Sequence, residues 1–257
     1  MNDLFNLKDQ VVLVTGATGG LGASIVEAIV QNNARVLVSD INKEACNDSV
    51  ESLVAQGYKA HAMPCDLRDK TAVDSLVLQA EEQFGQIDVL VCNAGVQGPA
   101  APLTTITDED WDLVMDVNLK SVLHLSARVI EGMAKRKKGS VIFMSSIAGL
   151  RGNKAIGLYG LSKAGLAQLA RNLAVEWGPH GIRVNAISPG LINTPLAQGL
   201  IKNDDFMARR ISLTPLRRVG EPEEIAGVVV MLASQAGGFI TGQNLVVDGG
   251  TLISDGG

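Results

Sequence analysis

The sequence predicts an α/β protein: a doubly wound, seven-stranded parallel sheet with helices on both faces. Three observations carry this. Short apolar runs such as Val11–Val14 and Val141–Met144 are continuous rather than alternating, the pattern of strands buried on both faces. They alternate with helical patterns along the whole chain, joined by short connections. A glycine-rich turn between Thr15 and Gly22 follows the first run and opens a helix.

The elements follow in order. After the strand Val11–Val14 comes a helical pattern from Leu21 to Ile29, then a strand at Val36–Val38. Residues 42–56 read as a helix closing at Gly57, Lys59–Cys65 as a weaker strand, and 69–84 as a helix ending at Gly85. Val89–Val91 is the fourth strand. Thr107 and Asp110 have capping-box spacing and open a helix. Another helix covers 119–137 and ends at Gly139, before the strand Val141–Met144. A long helix over 158–177, a strand at Ile182–Ile187, a helix over 221–234 and a last strand at Leu245–Val247 complete the set. No composition break divides the chain, so residues 1–257 form one Rossmann-type domain. Only the segment 191–218, with Pro195 and Pro215, interrupts the rhythm, and it reads as a substrate lid.

Composition narrows the function. Hydrophobic residues at 46% and charged residues at 19% suit a globular protein, and a net charge of −5 offers no footprint for nucleic acid. No apolar run approaches the roughly 18 residues of a membrane span, and the N-terminus lacks a signal-peptide pattern, so the protein is expected in the cytoplasm. Three cysteines without close spacing and three scattered histidines suggest neither disulfides nor a metal site. Glycine is in excess, 28 of 257 residues against an average of about 7%, without a collagen repeat. That leaves a fold whose backbone must approach something closely.

The glycine turn supplies backbone N–H groups and a helix N-terminus, both suited to a pyrophosphate. Its spacing is G-x-x-x-G-x-G, from Gly16, Gly20 and Gly22. Asp40 ends the second strand, where a carboxylate bonds both ribose hydroxyls of an adenosine and repels a 2′-phosphate. No Lys or Arg stands at 17–19 or 41–42 to receive that phosphate, so NAD is favoured over NADP. Tyr159 and Lys163 share one helix face, an arrangement in which an ammonium lowers the phenol's pKa. Ser146 ends a strand at the carboxyl edge of the sheet, where ligands of such folds bind.

The glycine pattern, Asn93-Ala94-Gly95, Ser146 and Tyr159-x-x-x-Lys163 together resemble the single-domain branch of the short-chain dehydrogenase/reductase family. Asp66-Leu67, Asn118, Pro189-Gly190 with Thr194, and the ending Asp248-Gly249-Gly250 extend the resemblance over essentially the whole chain. It implies an NAD(H)-dependent oxidoreductase that interconverts a secondary alcohol and a ketone or aldehyde by hydride transfer. Tyr159 would be the general acid/base, and Lys163 would hold its phenolate and bond the nicotinamide ribose. Ser146 would orient the substrate oxygen, and Asn118 would complete a proton relay through water. Gly16, Thr18, Gly20, Leu21 and Gly22 would line the pyrophosphate, Asp40 and Ile41 the ribose, and Asp66 and Leu67 the adenine. Asn93, Ala94 and Gly95 would let the backbone pass the cofactor, and Pro189, Gly190, Ile192 and Thr194 would meet the nicotinamide end.

Two positions depart from the family pattern or leave it open. Cys92 stands where an Asn is common and is expected to face the core, and Ser145 precedes Ser146, which the spacing to Tyr159 favours. Val96, Gln97, Ile147 and Asn153 join Ser146 as candidate substrate contacts, while Arg209 and Arg210 suggest an acidic substrate group or are simply solvated. Relatives imply a homotetramer, with a homodimer as the smaller assembly. The alternatives are a 3-oxoacyl-carrier-protein reductase, disfavoured by Asp40 and Val175, and a non-catalytic NAD-binding protein.

Overall fold

In the computed structural model, which describes residues 4–254, β1 (Val11–Thr15) is buried at every position. The first three residues of the N-terminal stretch read above lie outside the described residues. The chain continues through α1 (Leu21–Gln31), β2 (Arg35–Ser39), α2 (Lys43–Ala55), β3 (Lys59–Ala62), α3 (Lys70–Phe84) and β4 (Val89–Cys92). The second half runs α4 (Asp108–Met115), α5 (Ser121–Arg136), β5 (Gly139–Met144), α6 (Gly157–Trp177) and β6 (Ile182–Pro189). It ends with α7 (Gln198–Ile201), α8 (Asp204–Ser212), α9 (Pro222–Ala233) and β7 (Asn244–Val247).

All seven strands are parallel, in the order β3-β2-β1-β4-β5-β6-β7. The chain winds outward from β1 to β3, returns to β4 beside β1, and winds outward the other way. The order therefore reverses between β1 and β4, where Thr15 sits opposite Cys92, and a crevice at the carboxyl ends of these strands is where ligands of such sheets lie.

The strands bury both faces, which is why their runs are continuously apolar. Val12, Val14, Val36, Val38 and Val89 pack with Ile25 and Ile29 of α1, Cys46 of α2 and Ile225 and Val229 of α9. Leu13, Leu37, Leu90, Cys92 and Phe143 face the other way, onto Val73 and Leu76 of α3, Leu125 and Val129 of α5, and Leu166 and Ala170 of α6.

Local signals set most boundaries. The Asn42 side chain accepts from Ala45 N and caps α2, and Asp69 does the same for α3 from Thr71 N and Ala72 N. Thr107 and Asp110 cap each other's backbone at the start of α4. Gly85 closes α3 with φ +77°.

The structure corrects two boundaries. The helix read from 119 starts at Ser121, after a π-helical turn at Asp116–Lys120 that continues α4; one inserted residue leaves no trace in a periodic pattern. Gly139 does not end that helix. Lys137 takes the left-handed conformation, with φ +55°, and Gly139 opens β5, where a Cβ would press on Met133 Cγ at 2.7 Å. The segment 191–218 is not coil: it holds a 3-10 turn at Pro195–Ala197 followed by α7 and α8. No helix among the described residues is long and apolar enough to cross a membrane.

Candidate active site

The glycine turn is built by backbone packing. Gly16 has φ +59°, and a Cβ on it would lie 2.7 Å from Ala94 Cα, so only glycine lets β1 and the segment after β4 close on each other. Asn93 fastens the junction: its Nδ2 donates to Gly16 O at 2.8 Å and Thr15 O at 3.2 Å. Thr15 Oγ1 accepts from Asn93 N at 3.2 Å and Ala94 N at 3.3 Å. The role of that hydroxyl was signalled only by its place before the first glycine.

Unlike α2, α3 and α4, α1 begins after Gly20 with no side-chain cap and no acidic residue in its first turn. Gly22 N donates to Gly19 O at 3.0 Å, and the rest of the open first turn, with the helix dipole, suits an anion, a fit for a dinucleotide pyrophosphate. Thr194 reaches the same turn, its Cβ 3.7 Å from the position a Gly20 Cβ would take.

Asp40 is turned onto this loop, accepting from Thr18 Oγ1 at 2.9 Å and Thr18 N at 3.4 Å. Capping of α2 falls to Asn42, which leaves the Asp40 carboxylate free of that role. Ile41 beside it is exposed. Asp66 is bonded to Arg68, with Nη2 donating at 2.8 Å, and this pairing holds the Asp66 carboxyl below the usual carboxylate range. Leu67 packs against the core.

On the other side of the crevice, Ser146, Tyr159 and Lys163 come together. The two adjacent serines part company: Ser145 Oγ is buried and donates to Lys163 O at 2.7 Å, while Ser146 accepts from Ala148 N at 3.1 Å and is near enough to the Tyr159 phenol to influence its proton. Lys163 is 3% exposed, and its Nζ donates to Met144 O at 2.8 Å and lies 5.4 Å from the centroid of the Tyr159 ring. Asn118, in the π-helical turn, is fully buried. Its Oδ1 accepts from Val96 N, and its Nδ2 donates to Val96 O and to Ser162 Oγ. The only mark of Ser162 in the sequence is its place beside Lys163. A Cβ on Gly95 would stand 3.2 Å from both Asn118 Oδ1 and Lys163 Nζ, so these two atoms flank one small space.

The electrostatics differ from the simple pairing expected of Tyr159 and Lys163. Burial raises the phenol above its ordinary pKa, and Ser146 beside it, not the lysine, opposes this. Burial also brings Lys163 down to about 8. Cys92 is buried beside it, its thiol pushed up by desolvation and drawn down by the Lys163 charge.

The Lys163 shift has a measurable consequence. Its folded pKa lies below the ordinary 10.5, so the unfolded chain binds the proton more tightly between pH 8 and 10.5. The native state therefore carries the full penalty, about 3 kcal/mol, below pH 8, and loses it as pH rises to the unfolded value. Urea unfolding of wild type and Lys163→Met at pH 7 and pH 10 should show wild type gaining on the variant by roughly 2–3 kcal/mol at the higher pH. A flat difference would mean that Lys163 keeps its proton throughout.

Toward the substrate side, Ile147 is buried, Val96 is held by Asn118, and Gln97 is half-buried. Asn153 Nδ2 donates to Ala148 O at 2.7 Å and Arg151 O at 2.9 Å, fixing the bend after Ser146. Pro189 ends β6, and Gly190 packs against Asp248, whose Cα would lie 2.7 Å from a Cβ there. The Ile192 side chain is buried in the core layer of α1 and α9. Among the described residues, no group of three His, Cys, Asp or Glu is placed to hold a metal.

Comparison with known proteins supplies independent findings. A family model described as enoyl-(acyl carrier protein) reductase matches residues 16–251. The chain is 36% identical over 254 residues to a 5-keto-D-gluconate 5-reductase of Escherichia coli (strain K12), covering 99% of this chain and 100% of the relative. A gluconate 5-dehydrogenase from Burkholderia cenocepacia J2315, solved in complex with NADP and tartrate, superposes with a TM-score of 0.95 at 29% identity, over 98% of each chain. A 7α-hydroxysteroid dehydrogenase solved with NADH and a 7-oxo bile acid superposes with a TM-score of 0.93 at 34% identity, over 97% of each.

Proposed function

Since the chain belongs to the short-chain dehydrogenase/reductase family, whose members are nicotinamide-dinucleotide oxidoreductases, we propose that it interconverts a secondary alcohol and a ketone with NAD(H). The observation that carries the reaction is the grouping of Ser146 beside the Tyr159 phenol with Lys163, one helical turn beyond, whose Nζ lies 5.4 Å from the centre of that ring. When bound, the dinucleotide supplies the hydride acceptor or donor.

The chain's own residues handle the proton and the oxygen. Ser146 Oγ donates to the substrate oxygen and orients it. Tyr159 takes the alcohol proton in oxidation and returns it to the carbonyl oxygen in reduction. Because burial keeps the phenol protonated, the oxidation rate rises with pH through the phenol's pKa, while reduction is served at lower pH. Lys163 Nζ and Asn118 Oδ1 flank the space beside Gly95, where water would carry the proton onward. Both Asn118 amide hydrogens are committed to Val96 and Ser162, so its part in the relay falls to oxygen.

NAD rather than NADP rests on Asp40, held against Thr18 on the glycine turn. A 2′-phosphate there would meet a carboxylate, with no Lys or Arg at 17–19 or 41–42 to receive it. The solved relatives include one with NADP and one with NADH, so the choice is made by this residue and not by likeness. Steady-state rates with both dinucleotides over a panel of secondary alcohols, gluconate among them, test the reading. NAD should be favoured at least tenfold in kcat/KM, the equivalent of about 1.4 kcal/mol. A preference for NADP would overturn the Asp40 argument.

Reduction of a carrier-protein thioester has less support. Val175 is exposed and uncharged, and in the basic run Lys135-Arg136-Lys137-Lys138 the Arg136 guanidinium is spent on Ile87 O and Gly132 O. A homotetramer accords with exposed apolar side chains on α5 (Leu123), α6 (Leu161) and the edge strand β7 (Val246).

A further inference from the structure

Ser162 stands next to Lys163 on α6 and is fully buried. Its hydroxyl donates to Tyr159 O at 2.8 Å, one turn back along the helix, and accepts from Asn118 Nδ2 at 3.0 Å. With its hydrogen spent on the helix, Ser162 Oγ can meet Asn118 only as an acceptor. On its other side Asn118 is bonded to Val96: Oδ1 accepts from Val96 N and Nδ2 donates to Val96 O, both at 2.8 Å. The carboxamide and the segment through Val96 are thus clamped to each other. The bond to Ser162 ties that pair to the helix carrying Tyr159 and Lys163. Leu119 also brings the π-helical turn up to α6, its Cδ2 lying 2.9 Å from where a Gly165 Cβ would stand. Apolar contact of that kind is non-directional and does not aim an amide.

The aim matters because Asn118 Oδ1 and Lys163 Nζ each lie 3.2 Å from the position of a Gly95 Cβ, yet belong to different elements. Lys163 Nζ is fixed on its side by Met144 O at 2.8 Å. The Asn118 side needs its own anchor on α6. We propose that Ser162 is a positioning residue: it holds the Asn118 carboxamide, and with it the Val96 segment, in place against Tyr159 and Lys163. This rests on the dehydrogenase reading above and adds to it a group that acts only through Asn118. Without the hydroxyl, one Asn118 amide hydrogen is buried with no acceptor, and the carboxamide turns to find another.

The test compares Ser162→Ala and Ser162→Cys with wild type, using NAD and the alcohol that wild type oxidises fastest. Ser162→Ala should lower kcat about tenfold or more and leave the KM for NAD within about twofold, the mark of lost alignment rather than lost binding. Ser162→Cys fills the same space with a weaker acceptor and should fall between the two; it carries the test if Ser162→Ala does not fold, which unfolding temperatures decide. In an Asn118→Ala background, removing the Ser162 hydroxyl should cost no further rate, because Ser162 acts through that amide. An unchanged kcat, equal losses in kcat and NAD affinity, or losses that multiply in the double variant would each overturn the proposal. Absence of turnover by wild type would count against the dehydrogenase reading instead. The crystal structure of the folded Ser162 variant then decides: an Asn118 carboxamide turned away from α6 upholds the positioning role, and one that keeps its place overturns it.

Discussion

Tyr159→Phe should leave a folded protein that binds its dinucleotide and does not turn over. The substitution removes one oxygen, the atom beside Ser146 and the only one on that ring able to exchange a proton with substrate. A positioned general acid/base contributes about 10²–10⁴-fold, and kcat should fall by about a thousandfold or more. Dinucleotide affinity should stay within a few-fold, because the contacts that shape its groove, from Gly16 and Asn93 to Thr18 and Asp40, lie elsewhere. Stability should change by only about 1 kcal/mol, the scale of one hydrogen bond. Rate measurements beside fluorescence titration with NADH separate the two properties. Substantial residual turnover would sink the assignment of Tyr159.

Gly22→Ala should destabilise the protein by about 2–4 kcal/mol, at or above the usual cost of overpacking. An added Cβ would overlap the Gly16 carbonyl oxygen and lie 2.8 Å from Gly16 C and 2.9 Å from Ala17 Cα. These are backbone atoms, so no side chain can swing aside. The same carbonyl accepts from Asn93 Nδ2, and its displacement would loosen β4 from the turn. Gly19→Ala is the control: nothing lies within 4 Å of its Cβ position, and a neutral effect or a small gain is expected. Denaturant unfolding of both variants without cofactor decides the matter. Equal losses would show that flexibility, not contact, is why glycine stands at position 22.

That contrast shows how far composition reached. The excess of glycine pointed to a backbone approached closely, but part of that approach is the chain's own. Gly16 is required by Ala94, Gly22 by the Gly16 carbonyl, Gly190 by Asp248, and Gly139 by Met133.

Elsewhere the linear pattern was enough. Buried parallel strands must be continuously apolar, helix starts need caps, and both features are local, so Asn42, Asp69 and Thr107 mark their helices in the sequence as clearly as in the structure. The π-helical turn that carries Asn118 was not legible, because its hydrogen-bond shift changes no residue type. Nor was the state of the Tyr159 phenol. Spacing puts Lys163 on the same helix face, but it does not show that burial outweighs its influence or that Nζ bonds Met144 O.

By itself, then, the sequence determined the sheet and its winding, because these depend on periodicity, capping and spacing along the chain. Only the tertiary structure decided what each group faces: Asp40 on Thr18, Ser145 on α6, and Asn118 on Val96 and Ser162. Charge and burial act through space, and Thr18 and Asp40, 22 positions apart in the chain, meet without leaving any periodic mark.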